Sequence, residues 1–199
     1  MVTIYLVRHG ETDWNRKLLC QGRIDNLLNN NGKEGAKELG QNILNSNIKI
    51  DYILSSPLKR AQETAKIIQQ EINNKEQIKI DLNFLEREFG ELEGTDVVPL
   101  RKLVITPEVN KVKGYEKDNE VGERMLKGLL ELEKQYQNST ILIVSHSHAI
   151  KCLLQTINKN IYSLQTKLPN MNMSKLHIEN GKITVDKLSV FETKTIDPT

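Results

Sequence analysis

Short runs of strand length alternate along this chain with longer stretches whose apolar residues recur every three or four positions. Residues 3–7, 52–54, 78–80 and 140–145 are rich in β-branched and apolar side chains, as strands are. Between them Leu58, Ala61, Ala65, Ile68 and Ile72 line up as one apolar stripe on a helix. Met125, Leu129, Leu132 and Tyr136 form a second stripe, and Ala36, Leu39 and Ile43 a shorter one after Gly32. Such alternation predicts an α/β fold, a three-layer α/β/α sandwich around a mostly parallel sheet. Near the end, 175–179 and 182–188 flank Asn180-Gly181, a pair suited to a tight hairpin, which adds an antiparallel edge. Pro99 and Pro107 interrupt the pattern between Gly94 and Gly114, so 94–120 is read as a lid or excursion over the site. Residues 192–199 read as a loose tail. With 199 residues, no repeat and no flexible linker, the expectation is a single domain over 1–199.

Charge and composition narrow the function. The formal net charge is +2 and no basic block appears, which argues against a nucleic-acid partner and leaves room for a small anionic one. No apolar run approaches the roughly 20 residues that span a bilayer, so no membrane partner is expected. The start runs straight from an apolar strand into Arg8-His9-Gly10 without a basic leader, and a cytoplasmic setting is expected. Cys20 and Cys152 form no CxxC pair, and a reducing compartment suits them better than a disulfide framework.

Three segments carry chemistry. Leu6-Val7-Arg8-His9-Gly10-Glu11-Thr12 ends a strand in an arginine and a histidine where the chain leaves the sheet, and ligands of open α/β sheets sit beyond such strand ends. In Ser55-Ser56-Pro57-Leu58-Lys59-Arg60, Ser56 is the natural N-cap, Pro57 the first helical residue, and Arg60 falls in the first turn. Ile141-Leu142-Ile143-Val144-Ser145-His146-Ser147-His148 again ends a strand in a histidine, and a helix from Ala149 to about Ile157 follows. The plain alternative for each is a capped core strand, a solvated helical arginine or a buried core histidine. Two such histidines with two arginines on one edge are harder to attribute to chance.

Together these segments resemble the histidine phosphatase superfamily, also called the phosphoglycerate mutase-like family. The resemblance covers nearly the whole chain. It rests on Arg8-His9-Gly10-Glu11-Thr12 with Asn15, on Ser55 to Ala61 with Thr64-Ala65, on Leu85-Glu86 with Phe89-Gly90-Glu91-Leu92-Glu93-Gly94, and on Val144-Ser145-His146. Asp25, Leu27-Leu28-Asn29 and Gly32 resemble the family's link from the first motif to the first helix. By that resemblance His9 is the nucleophile that carries a phosphoryl group, and it must attack as a neutral ring with its other nitrogen held by a backbone acceptor. Arg8 and Arg60 would bind the non-bridging oxygens, His146 would donate to them, and Asn15, the backbone near Gly22 and Ser147 would add phosphate contacts. Glu86 matches the acid/base glutamate, with Glu88 its rival. An acid at neutral pH requires a closed pocket that lifts it from its usual value near 4.3.

The resemblance implies a small phosphorylated metabolite as substrate, with no cofactor and no metal, and is compatible with a homodimer. Phosphomonoester hydrolysis through a phosphohistidine is the first reading. Glu86-Arg87 resembles the mutases' Glu-Arg pair and keeps a phosphoglycerate mutase-type transfer as the alternative. Against it, residues 95–120 hold no paired arginines, only Arg101 with Lys102. A metal site built on His146-x-His148 is a weaker option, with four histidines in total and no Cys/His cluster. A catalytically dead binding protein is weaker still, because all four core residues are present. Ser147 and His148 stand where many relatives have glycine after the histidine; His148 could read the substrate or simply occupy a first helical turn, the latter being favoured. The family's arginine on the helix after a Gly-Glu-Ser segment has no clear match, since Arg124 follows Gly122-Glu123 in another register. His177 reads as a structural or exposed hairpin residue.

Overall fold

The computed structural model describes residues 1–191; the expected tail at 192–199 lies outside them. Strand β1 (Val2–Arg8) leads through a short helix α1 (Asp13–Arg16) to α2 (Asn30–Asn45), then β2 (Tyr52–Ser55), α3 (Lys59–Glu71) and β3 (Lys79–Ile80). The chain continues through α4 (Val97–Leu103), α5 (Asp118–Gln135), β4 (Thr140–Ser145), α6 (Ser147–Ile157), β5 (Met173–Glu179) and β6 (Lys182–Lys187). The sheet order is β3-β2-β4-β1-β5-β6. The first four strands are mutually parallel, and β5 and β6 are antiparallel. Asn180 and Gly181 both take positive φ, 53° and 76°, as a type I′ turn requires.

Alternation within the strands builds the layers. Ile4, Leu6, Ile141 and Ile143 face one core with Met125 and Leu129 of α5 and Ile150 and Leu153 of α6. Tyr5, Val7, Leu142 and Val144 face the other, with Ala36, Leu39 and Ile43 of α2 and Ala61, Ala65 and Ile68 of α3. Full burial of a side chain such as Ile68 contributes about 1.5–3 kcal/mol, so each stripe is enough to hold its helix on the sheet.

Register decides where the chemistry goes. β1 and β4 run parallel with Arg8 opposite Ser145, and β2 runs beside β4 with Ser55 opposite Val144. His9, His146 and Ser56 therefore leave the sheet side by side at its carboxyl edge.

One local expectation changes. Helix α3 starts at Lys59 with Leu58 as its N-cap, not with Ser56 and Pro57. Asp25, from a distant loop, supplies the missing cap by accepting from Lys59 N at 2.7 Å. The Ser56 hydroxyl turns to His146 Nε2 instead, at 2.7 Å. Within the segment 94–120, Val97, Leu100, Val104 and Val109 are all buried in the α5/α6 layer. Backbone bridges Leu19–Asp96 and Phe89–Tyr115 fasten it.

Candidate active site

His9 is buried, and its Nδ1–H donates to its own neighbour's carbonyl, Gly10 O, at 2.7 Å. A carbonyl can only accept, so the proton sits on Nδ1 and Nε2 keeps its lone pair. Arg60 Nε donates toward that Nε2 at 3.2 Å. Burial, followed by the charges of Arg60 and Arg8, holds the His9 pKa well below its ordinary value, and the Gly10 hydrogen bond only partly opposes this. The ring is thus neutral at neutral pH. The backbone around it is equally fixed. His9 N donates to Ser145 O, Asn170 Nδ2 to His9 O, and Gly10 N to Thr64 Oγ1.

The two arginines are almost wholly buried. Arg60 reaches back from the first turn of α3 to donate to Gly22 O at 2.6 Å and Ile24 O at 2.8 Å. Its partners are carbonyls and an imidazole, so hydrogen bonds are satisfied while no carboxylate among the described residues bonds to it directly. Burial pulls its pKa down to about 10, with Glu86, Asp25 and Glu93 opposing, and it stays protonated at neutral pH. Arg8 Nη1 donates to Leu168 O at 2.5 Å. Gly22 takes φ +52°, and a Cβ there would run into the Glu93 side chain, so only glycine lets this carbonyl meet Arg60.

Arg8, His9, Asn15, Gly22, Arg60 and Glu86 line one small cavity of about 60 Å³, and Ser147 and His148 close it. Asn15 spends its Oδ1 on Thr12 N and Oγ1, which leaves its Nδ2 donors for the cavity. His146 lies behind His9, ring centroids 5.1 Å apart, and does not itself line the cavity. Burial and then Arg60 and His9 lower its pKa, so it too is neutral. His146 Nδ1, Ser147 Oγ and His148 Nδ1 are buried and have no hydrogen-bond partner among the described residues. Of these, Ser147 Oγ and His148 Nδ1 belong to residues that line the cavity beside two buried guanidinium groups and suit the oxygens of an anion. His148 occupies the first turn of α6, as expected, but also lines the cavity, against the reading of it as a bystander.

Glu86 and Glu88 separate clearly. The Glu86 carboxylate is buried and accepts from Arg87 N at 2.8 Å, Ala149 N at 2.9 Å and His148 N at 3.3 Å. Glu88 is half exposed and pairs with Arg23 away from the cavity. Arg87 is fully buried but points elsewhere, toward Asp118 at 2.6 Å, Tyr115 and the Cys152 thiol. Burial works against its charge, yet Cys152, Tyr115 and Asp118 more than offset this and raise its pKa. Cys20 and Cys152 are both buried free thiols.

Two further arginines clamp the Glu86 loop. Arg124, out of register in the sequence reading, donates to Asn83 O, Leu85 O and Glu86 O at 2.9, 2.8 and 3.1 Å. It also pairs with Glu116 at 2.7 Å, and Arg23 joins Glu116 to Glu88. Burial alone would raise the Glu116 pKa, but Arg124 and Arg23 lower it on balance. Neither clamp was legible in sequence, nor were Gln21 and Asn170; all depend on contacts between distant segments. His177 is half-buried in the hairpin beside Thr3 and Asp186. Among the described residues no group of three or more His, Cys, Asp or Glu gathers as metal ligands do, and no helix is long and apolar enough to cross a membrane.

The fold and site define an α/β protein with an arginine- and histidine-lined cavity at the carboxyl edge of its sheet. The family model for the histidine phosphatase superfamily (branch 1) matches residues 4–190, and the chain belongs to that superfamily. It is 36% identical over 183 residues to the uncharacterized phosphatase PhoE of Bacillus subtilis, covering 92% of this chain and 91% of that one. It is 33% identical over 165 residues to the probable phosphoglycerate mutase GpmB of Salmonella choleraesuis, covering 79% and 75%. Among solved structures, phosphoserine phosphatase from Entamoeba histolytica in complex with 3-phosphoglyceric acid superposes with a TM-score of 0.81 at 27% identity, covering 96% of this chain and 98% of that one.

His9, His146 and His148 all have folded pKa values well below 6.5, each chiefly through burial. Below about pH 6.5 the unfolded chain therefore takes up protons that the folded chain refuses, so stability is full above that pH and falls beneath it. Urea denaturation at about pH 7.5, 6.5 and 5.5 is expected to give an unfolding free energy, and with it a midpoint, that drops between the last two, the free energy by up to about 1.4 kcal/mol per pH unit for each ring. An unchanged midpoint down to about pH 5.5 would contradict the neutral, buried imidazoles.

Proposed function

We propose that this protein is a phosphomonoester hydrolase working through a phosphohistidine at His9. The observation that carries the reading is the fixed His9 tautomer: Nδ1–H is spent on Gly10 O, and the lone pair of Nε2 stands in a cavity lined by two buried arginines. In the first step Nε2 attacks phosphorus and the bond from phosphorus to the ester oxygen breaks. Arg8 and Arg60 take the non-bridging oxygens as guanidinium forks; Asn15 and the Ser147 hydroxyl add donors, and the His146 ring backs His9. The proton that the leaving oxygen needs is delivered through the Glu86 carboxyl, which lines the cavity. In the second step water attacks the phosphorus, its proton returns to Glu86, and inorganic phosphate leaves with Nε2 restored.

The similarity to a probable phosphoglycerate mutase supports a second reading, return of the phosphoryl group to another hydroxyl of the same substrate. The orientation of Arg87 weighs against it. In the Glu86-Arg87 pair only the glutamate lines the cavity, while the arginine is held by Asp118 and Tyr115. A cytoplasmic small-molecule enzyme remains part of the proposal.

A panel of phosphomonoesters that includes 3-phosphoglycerate, scored for free phosphate against isomerised product, separates the two. Free phosphate is the expected product, with an acid-labile phosphoprotein that His9→Ala abolishes together with turnover. Isomer without phosphate, or full turnover by His9→Ala, would refute the proposal. Glu86→Gln is expected to slow alkyl phosphates by about 10²–10⁴-fold, the usual contribution of a general acid, and activated aryl phosphates far less. Equal losses on both would remove Glu86 from the acid role.

A further inference from the structure

Residues 85–88 carry Glu86 to the cavity, yet they belong to no helix and no strand. The carbonyls of Leu85 and Glu86 accept from no backbone N–H among the described residues. Side chains hold them instead, chiefly Arg124 from the second turn of α5. A guanidinium presents five N–H donors, and here each has an acceptor. Nη1 donates to Asn83 O at 2.9 Å and Leu85 O at 2.8 Å. Nη2 donates to Glu86 O and to Glu116 Oε2, both at 3.1 Å, and Nε donates to Glu116 Oε1 at 2.7 Å.

Glu116 aims that arginine. It lies just before α5, mostly buried, and binds Arg124 as a two-point fork while also accepting from Glu88 N and Arg23 Nη2, each at 3.2 Å. Arg124 is thus pinned on one side by a carboxylate and grips the Glu86 segment with the other. From that segment the Glu86 side chain reaches the first turn of α6, where Ala149 N and His148 N hold its carboxyl. A shifted backbone would draw the carboxyl off this seat, and a misplacement of about 1 Å can cost about 10²-fold in rate. Arg124 does not line the cavity, and it makes no hydrogen bond to Arg8, His9 or Arg60. Those residues are held elsewhere, His9 N on Ser145 O, Gly10 N on Thr64 Oγ1, and Arg60 on Gly22 O and Ile24 O.

We propose that Arg124 is a positioning residue for proton delivery: its bonds to the Asn83, Leu85 and Glu86 carbonyls keep the Glu86 carboxyl where the leaving oxygen departs, while the grip on the phosphoryl group is left to other residues. A lysine does not replace it, because one ammonium cannot span three carbonyls and both oxygens of a carboxylate. This rests on the reading of Glu86 given above and adds the residue that sets its place.

The test compares benzyl phosphate with 4-nitrophenyl phosphate. The two are similar in size, but the benzyl alkoxide needs a proton as it departs and 4-nitrophenolate does not. Because kcat/KM reports the steps up to transfer onto His9, the benzyl-to-nitrophenyl ratio isolates the leaving-group proton. In Arg124→Gln that ratio is expected to fall by about tenfold, and in Glu86→Gln/Arg124→Gln it is expected to equal that of Glu86→Gln alone. Loss of folded protein lowers both values together and leaves the ratio unmoved. If Arg124→Gln yields no soluble protein, Arg124→Lys, which keeps the charge and loses the fork, is read in the same way, with a fall of about threefold expected. An unchanged ratio in the Arg124 variant, or a further fall on top of Glu86→Gln, overturns the positioning role. Glu86→Gln separates the two failures. An unchanged ratio there removes Glu86 from proton delivery and Arg124 with it, whereas a lowered ratio there with none in the Arg124 variant overturns the role of Arg124 alone.

Discussion

The in-register parallel pairing of β1 with β4 is the constraint on which the site depends. Arg8 opposite Ser145 puts the next residue of each strand, His9 and His146, at one edge with ring centroids 5.1 Å apart. A slip of one residue would send alternate side chains to the opposite layer. It would exchange Ile4 and Leu6 for Tyr5 and Val7 on the α5/α6 face. Both faces of the sheet are buried, so the two apolar cores fix the register, and the register fixes the imidazoles. Stability and chemistry are coupled here through strand pairing rather than through any single contact.

Charge is then concentrated where water is scarce. Burying two arginines beside one imidazole is unfavourable in isolation, because desolvation penalises both guanidinium groups. For Arg60 the structure offsets this with the carbonyls Gly22 O and Ile24 O, which satisfy donors without neutralising charge. A carboxylate bonded to Arg60 in their place would have left less positive potential for a dianion. The same potential keeps His9 unprotonated, which a nitrogen nucleophile needs. Arg87, by contrast, is held through its two Nη groups by Asp118, Tyr115 and Cys152 and serves the fold.

Much of this was legible in the chain because it is local. The bounds of β4 follow from its apolar run, the hairpin turn from Asn180-Gly181, and the helical stripes from spacing alone. Arg8, His9, Arg60, Glu86 and Ser147 are brought to one cavity as their motifs implied, with His146 one ring behind. What failed was non-local. Ser56 has the side chain of an N-cap, but Asp25, far away in sequence, caps α3 and frees Ser56 for His146. Arg124 has no meaning until Asn83, Leu85 and Glu86 fold against it. The segment at 94–120 carries prolines that break its periodicity, and its buried Val97 and Leu100 show their role only against α6 and the cavity.

All of the chemistry assigned to this site requires that His9 be a neutral ring protonated on Nδ1, with the Nε2 lone pair, which here accepts from Arg60 Nε, passing to the ligand. Nitrogen NMR of the ¹⁵N-labelled imidazoles across a pH titration tests that state directly. His9 is expected to hold the Nδ1–H tautomer at neutral pH and to stay neutral well below about pH 6.5, because burial, Arg60 and Arg8 all oppose its protonation. A His9 that titrates near its ordinary value, or that carries its proton on Nε2, would contradict the account.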